Sequence, residues 1–260
     1  MKKLIALLMA LTIVLTLTAY AENDLLADVQ ARGSLVIATE GAWSPWTYHD
    51  ESDELVGFDV EVARAIAEKL GVEASFVECP WESIFLGIDS KMYDITANGV
   101  EITDDRAEKY DFSVPYAYLR TALIVKGDNE DIKTFEDLNG KKTANSAGST
   151  YALLAEAYGA TTDTVSTLAQ TLDLVLAGRV DATLNAELSF YDYMKEHPDA
   201  NLKIVALSDE ASNVAIPVRK GEENAAFLAA LNEAIDGLRA DGTLKAISEK
   251  YFETDITSAE

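Results

Sequence analysis

Arg106 is the residue of this 260-residue chain whose chemistry is easiest to name. A guanidinium presents a planar fork of N–H donors and grips a carboxylate with two hydrogen bonds, where lysine offers only a point charge. Arg106 closes segment 98–106, which carries Asn98, Gly99 and Glu101 and follows an apolar run at 95–97. From the residues alone it is either a solvated helix arginine or the clamp of a small carboxylate. Segment 40–46 carries Glu40, Trp43 and Trp46, and Trp81 follows a strand-like segment at 73–77. These are the three tryptophans of the chain. They either pack the interior or wall a ligand with flat faces. Segment 145–150 ends in Ser149 and Thr150, which either cap the helix after them or leave N–H groups free for an anion. Segment 181–187 brings Asn185, Ala186 and Glu187 to the end of one more run. Glu101 and Glu187 are candidate partners for a cation, since a buried ammonium needs pairing.

Alternating elements must position these loops. The patterns predict strands at 34–39, 73–77, 95–97, 122–126, 142–144, 182–184, 202–205 and 214–218. They predict helices at 60–70, 81–90, 151–158, 168–177, 188–197, 223–239 and 243–251. Such alternation is that of an α/β fold with largely parallel sheets. The helix at 60–70 is the plainest: Val62, Ile66 and Leu70 recur every four residues, with Ala63 and Ala67 on the same face. Asp59 and Glu61 suit the positive end of its dipole, and Gly71 closes it. In open parallel sheets ligands bind outside the carboxyl ends of the strands. Segments 40–46, 98–106, 145–150 and 185–187 all follow strand ends.

Bulk composition narrows the field. The formal net charge is −24, which opposes nucleic acid or an anionic membrane as a partner. Cys79 is the single cysteine and the two histidines, His49 and His197, lie far apart, so neither a disulfide nor a zinc centre is expected. Phosphate-binding glycine loops and a Gly-x-Ser-x-Gly elbow are absent from the sequence. No cofactor and no metal are expected. Lys2 and Lys3 followed by an apolar run to Ala19, then Tyr20 and Ala21, predict a leader cleaved before Glu22.

Three motifs carry a resemblance: 57–70, beginning Gly57, Phe58, Asp59; the turn Thr103, Asp104, Asp105, Arg106; and 110–113, Tyr110 to Ser113. In combination they resemble the bacterial family 3 solute-binding proteins, extracytoplasmic receptors that deliver polar amino acids to ABC importers. The resemblance implies a two-lobed type II periplasmic-binding-protein fold, with lobe 2 inserted in lobe 1 and two crossover hinge strands. It implies a signal peptide at 1–21, lobe 1 at 22–123 and 219–260, and lobe 2 at 124–218, with crossings within 121–126 and 213–219. It also implies roles. Arg106 would clamp the ligand α-carboxylate and the Gly99 carbonyl would face the ammonium. Trp43 and Trp81 would sandwich the carbon chain, with Trp46 beneath. The loop with Ser149 and Thr150 would complete the carboxylate clamp on closure. Glu40, Asn98 and Asn185 belong to the same loops.

Two positions depart from the family. Ala186 stands where an aspartate usually binds the ammonium, and Glu101 where a serine or threonine is common. Glu101 is therefore expected to pair with the ammonium, ahead of Glu187. Relatives with a lipid-bearing cysteine have it where this chain has Tyr20, so a periplasmic or secreted protein without a lipid anchor is expected. Segments 39–50, 81–83, 131–138, 169–172 and 201–204 look most like the cystine-binding branch. Expected partners are thus L-cystine or a related amino acid and a membrane ABC permease, the receptor acting as a monomer. Catalysis is not expected. The alternatives are a cyclohexadienyl dehydratase-like enzyme on the same fold, using Glu101 or Glu187 as an acid, or a ligand-binding surface sensor.

Overall fold

Two separate sheets organise the chain. The computed structural model describes residues 24–259, so the expected leader lies outside the described residues. In the first sheet β1 (Ser34–Thr39) lies between β5 (Glu73–Glu78) and β6 (Ile95–Thr96), all parallel. A small antiparallel meander, β2 (Ala42–Trp43), β3 (Thr47–His49) and β4 (Leu55–Val56), leads from β1 into α2 (Phe58–Lys69). Helix α1 (Leu25–Arg32) precedes β1, and α3 (Trp81–Asp89) follows β5. The chain returns to this unit at its end with α8 (Ala225–Ala240) and α9 (Thr243–Phe252), which pack on α2.

Helix α2 does more than bury its apolar stripe. Its N-cap, Gly57, has φ of 130°, and a Cβ there would collide with the Trp46 carbonyl oxygen. Only glycine lets the loop approach so closely. The free amides at the start of α2 then donate to that loop: Phe58 to Pro45 O at 2.9 Å and Asp59 to Trp46 O at 2.9 Å. Asp59, expected to serve the helix dipole, is fully buried and reaches further. It accepts from the Gly99 amide at 2.5 Å and from the Tyr116 hydroxyl at 2.7 Å. One helix N-terminus therefore fixes both the loop after β1 and the loop after β6.

The second sheet has five strands in the order β11 (Thr161–Thr164), β10 (Lys142–Asn145), β12 (Ala182–Ala186), β9 (Thr121–Lys126), β13 (Leu202–Leu207). It is mixed rather than wholly parallel, because β9 runs antiparallel to both neighbours. Helices α5 (Thr150–Ala157), α6 (Leu168–Leu176) and α7 (Glu187–Glu196) cover it. β12 is buried at every residue and β9 at all but its last, as expected for central strands covered on both faces.

Two antiparallel pairs connect the units: β7 (Tyr110–Phe112) with β15 (Pro217–Arg219), and β8 (Ala117–Leu119) with β14 (Ser212–Val214). The run expected as one strand at 214–218 is thus two short strands. The segment 121–126, expected to cross between lobes, is an inner strand of the second sheet over its whole length. Its continuous apolar run reflects burial on both faces, not a hinge. No helix among the described residues is long and apolar enough to cross a membrane.

Candidate functional site

Six strand ends converge on one cavity: β1, β5 and β6 from the first sheet, β10, β11 and β12 from the second. Its wall includes Glu40, Trp43, Trp81, Asn98, Gly99, Glu101 and Arg106 on one side. Asn145, Ser149, Thr150, Tyr151 and Asn185 stand on the other. Ten of the eleven residues expected from sequence therefore meet. Glu187 does not. It begins α7 and faces a different depression, alongside Ala186 and Arg120. Its carboxylate bonds Tyr191 one turn further along α7, off the cavity wall. Ala186, where the family aspartate is expected, also lies off the cavity wall.

Arg106 is built in from three directions. Thr103 caps the short helix α4 (Asp104–Lys109) by accepting from the Arg106 amide at 3.3 Å. The guanidinium lies over Trp81 and Phe85, at 5.2 and 5.3 Å from the ring centroids. Nη1 donates to Glu101 O at 3.0 Å, and Nη2 donates across the cleft to Gly148 O at 3.4 Å. Those bonds use two of its five N–H donors, which leaves donors for a carboxylate. Burial draws Arg106 below its ordinary pKa, and the nearby Glu101 and Tyr151 oppose this. Trp81 thus serves as the seat of the arginine as well as a wall.

The remaining first-sheet residues are held as firmly. Asn98 donates to Glu40 Oε2 at 2.7 Å and accepts from the Glu40 amide at 2.8 Å. Burial pushes Glu40 up to about 7, against the Asn98 hydrogen bond and with some help from Glu82. Gly99 has φ of 56°, and a Cβ there would lie 2.5 Å from the Trp43 ring. Glycine is required so that Trp43 can lie flat, stacked on Trp46 with centroids 5.1 Å apart. Trp46 is fully buried beneath, as expected. Loop 100–102 is zipped to the returning segment: Ala215 N donates to Val100 O at 3.0 Å, and Ile102 N to Asn213 O at 2.9 Å. The site is thereby tied to a connection between the lobes.

Outside the cavity Ser44 Oγ donates to Asp192 Oδ2 at 2.7 Å and Lys195 Nζ to Glu253 Oε1 at 2.8 Å, and three more hydrogen bonds close the cleft at the cavity. Trp43 Nε1 donates to Asn185 Oδ1 at 3.0 Å, Thr150 Oγ1 donates to Glu101 Oε1, and Arg106 reaches Gly148 O. Ser149 caps α5 by accepting from Ala152 N at 3.1 Å, and the helix points its N-terminus at the cavity. The cavity is about 50 Å³. That volume admits on the order of four waters, so a larger ligand enters only when the walls separate.

Sequence reasoning missed several wall residues: Ala42, Ser146, Ser166, Thr167, Leu168 and Thr171 beside Asn145 and Tyr151. Residues 166–168 follow β11, a threonine-rich edge strand whose residues are exposed or half-buried. It has no apolar alternation to read. The Thr167 N-cap of α6 was the available signal.

Residues 35–254 match the model of the bacterial extracellular solute-binding proteins, family 3. The chain belongs to this family. It is 39% identical over 237 residues to the L-cystine-binding protein TcyA of Bacillus subtilis, covering 91% of this chain and 87% of that protein. Among solved structures, an ancestral arginine-binding protein bound to arginine superposes with a TM-score of 0.79 at 35% identity, over 85% of this chain and 99% of the other. The L-cystine solute receptor of Neisseria gonorrhoeae, unliganded and open, is 40% identical over 90% of this chain and 99% of the other, yet has a TM-score of 0.59. The more similar sequence superposes less well. A global superposition senses the angle between lobes, and the three bonds across this cleft mark a closed arrangement. The fold is that of two-lobed family members.

Proposed function

We propose that this chain is the extracytoplasmic receptor of an ABC importer for a polar amino acid, with L-cystine the first candidate. The observation that carries this reading is Arg106, whose remaining donors face a cavity that closes between two lobes. The names of relatives support the substrate class. In this reading Arg106 and the α5 N-terminus hold the α-carboxylate. Glu101 supplies the charge opposite the ammonium, and Trp43 and Trp81 wall the carbon chain. Glu101 is 5% exposed and its carboxylate already accepts from Thr150, so closure and ligand pairing use the same group. The cavity must widen for a molecule of cystine's size, so in this reading the lobes close less far around it than they do here.

The crossings lie next to Arg120 and Ser208. Arg120 Nη2 donates to Ser208 O at 2.8 Å, and Ser208 N donates to Thr121 O at 2.8 Å, which lashes the two connections together. Lobe 2 then begins with β9, a few residues before the boundary expected from sequence. In this reading a leader at 1–21 delivers the receptor, which works as a monomer and hands its ligand to a membrane permease.

A thermal-shift screen of the mature chain against the protein amino acids and L-cystine tests the reading. A ligand at about 100 times its Kd adds about 2.7 kcal/mol to the folded state, so one or a few amino acids should raise Tm by several degrees. No shift with any of them, together with wild-type behaviour of Arg106→Ala, would overturn the assignment.

A further inference from the structure

Two buried polar groups on the second-lobe wall lack a hydrogen-bond partner: the hydroxyl of Tyr151 and Oδ1 of Asn145. Both residues line the cavity, and they are only 8% and 2% exposed. Their obvious neighbours are already engaged. Asn145 Nδ2 donates to Leu184 O at 2.7 Å and to Thr183 Oγ1 at 3.3 Å, which fixes the amide orientation and leaves Oδ1 as an acceptor without a donor. The Ala186 amide beside the Tyr151 hydroxyl donates instead to Asn185 Oδ1 at 3.0 Å. Buried polar groups in folded proteins are nearly always paired, and an orphan at a cavity wall points to a ligand.

The surroundings say which ligand atoms fit. Burial holds the Tyr151 hydroxyl well above its ordinary pKa, with Glu101 adding to this and the neighbouring Ala186 amide and then Arg106 opposing. It is therefore a neutral hydroxyl, able to accept a hydrogen bond. Asn145 Oδ1 can only accept. The cavity already holds Glu40 and Glu101 against a single cation, Arg106. A third carboxylate at Ala186 would add repulsion, whereas neutral acceptors add none. We propose that Tyr151 Oη and Asn145 Oδ1 accept hydrogen bonds from the ammonium group of the bound amino acid, alongside the Glu101 carboxylate. Two neutral groups thereby do the work of the missing aspartate. This rests on the amino-acid reading of the site.

Titration calorimetry on the mature chain separates the two ideas. The probes are L-cystine, the protein amino acids, and the desamino analogue of the tightest binder. Tyr151→Phe should weaken the amino acid about tenfold, leave the desamino acid unchanged, and leave the ligand-free Tm equal or higher. Asn145→Ala should show the same selective loss even if its Tm falls, because general damage to the site would weaken both probes alike. Equal affinity of wild type and Tyr151→Phe for the amino acid overturns the inference while the receptor function stands. So does a matching loss for the desamino acid. If wild type binds no amino acid, both fall.

Discussion

On the first-lobe wall of the cleft stand Glu40, Glu101 and Arg106, while the second-lobe wall carries hydroxyls, amides and one apolar side chain, Leu168. Every charged side chain on the cavity wall, among the described residues, belongs to the lobe that α2 braces. Full charges act at longer range than dipoles, so a zwitterion entering an open cleft is oriented by the first lobe. The second lobe then brings neutral donors and acceptors, which lose less on leaving water than charges would. The division makes one wall the selector and the other the clasp.

The largest test of that division is Arg106. Truncating one partner of a buried charge pair costs about 2–5 kcal/mol, so Arg106→Ala should weaken the ligand on the order of 30-fold or more. Arg106→Lys should recover part of this, since it restores charge without the fork. Near-wild-type affinity of Arg106→Ala by calorimetry would move the carboxylate to the second lobe and end the comparison.

The two glutamates first considered for the ammonium provide a sharper, smaller contrast. Glu101→Gln keeps the shape but removes a wall charge, and about a tenfold loss is expected. Glu187→Gln should bind as wild type does, because Glu187 stands off the cavity and bonds Tyr191. Equal effects of the two variants would mean that the charge is not read at the first wall.

The smallest effect concerns how rigidly the first wall is held. Burial raises Asp59 from 3.8 to about 7, against hydrogen bonds from Tyr116 and Gly99. Glu40 is raised from 4.5 to about 7. The folded chain keeps protons that the unfolded chain loses as pH rises from about 4. This contribution to stability is therefore full below about pH 4 and is lost as pH rises through 7. Tm should fall from pH 5 to pH 8 by more in wild type than in Asp59→Asn, a difference of a few degrees by calorimetric scanning. Parallel pH profiles would show that Asp59 is not ionising inside the fold.

Much of this was legible in the sequence, and particular residues show why. The period-four stripe of α2 and the runs behind β1 and β10 are local patterns, because side-chain direction repeats with the backbone. The loops after those strands and after β6 followed from strand order, and the family resemblance picked Arg106, Trp43 and Gly99 out of them. β11 was not legible, since an edge strand of threonines buries too little to show a period. The central place and antiparallel sense of β9 were not legible either, because an apolar run looks the same in a hinge and in a sheet centre.

What the sequence determined by itself was the main elements of both sheets, their order and the kind of chemistry at their ends. Tertiary structure alone decided which of those end residues share the cavity. Trp43 meets Asn185 across 142 residues of chain, and Thr150 meets Glu101 across 49. Tyr151 lines the cleft while Glu187, also in the first turn of a helix, lies off it. Local periodicity sets where a side chain lies on its own element, but the packing of one lobe on the other sets what that side chain faces.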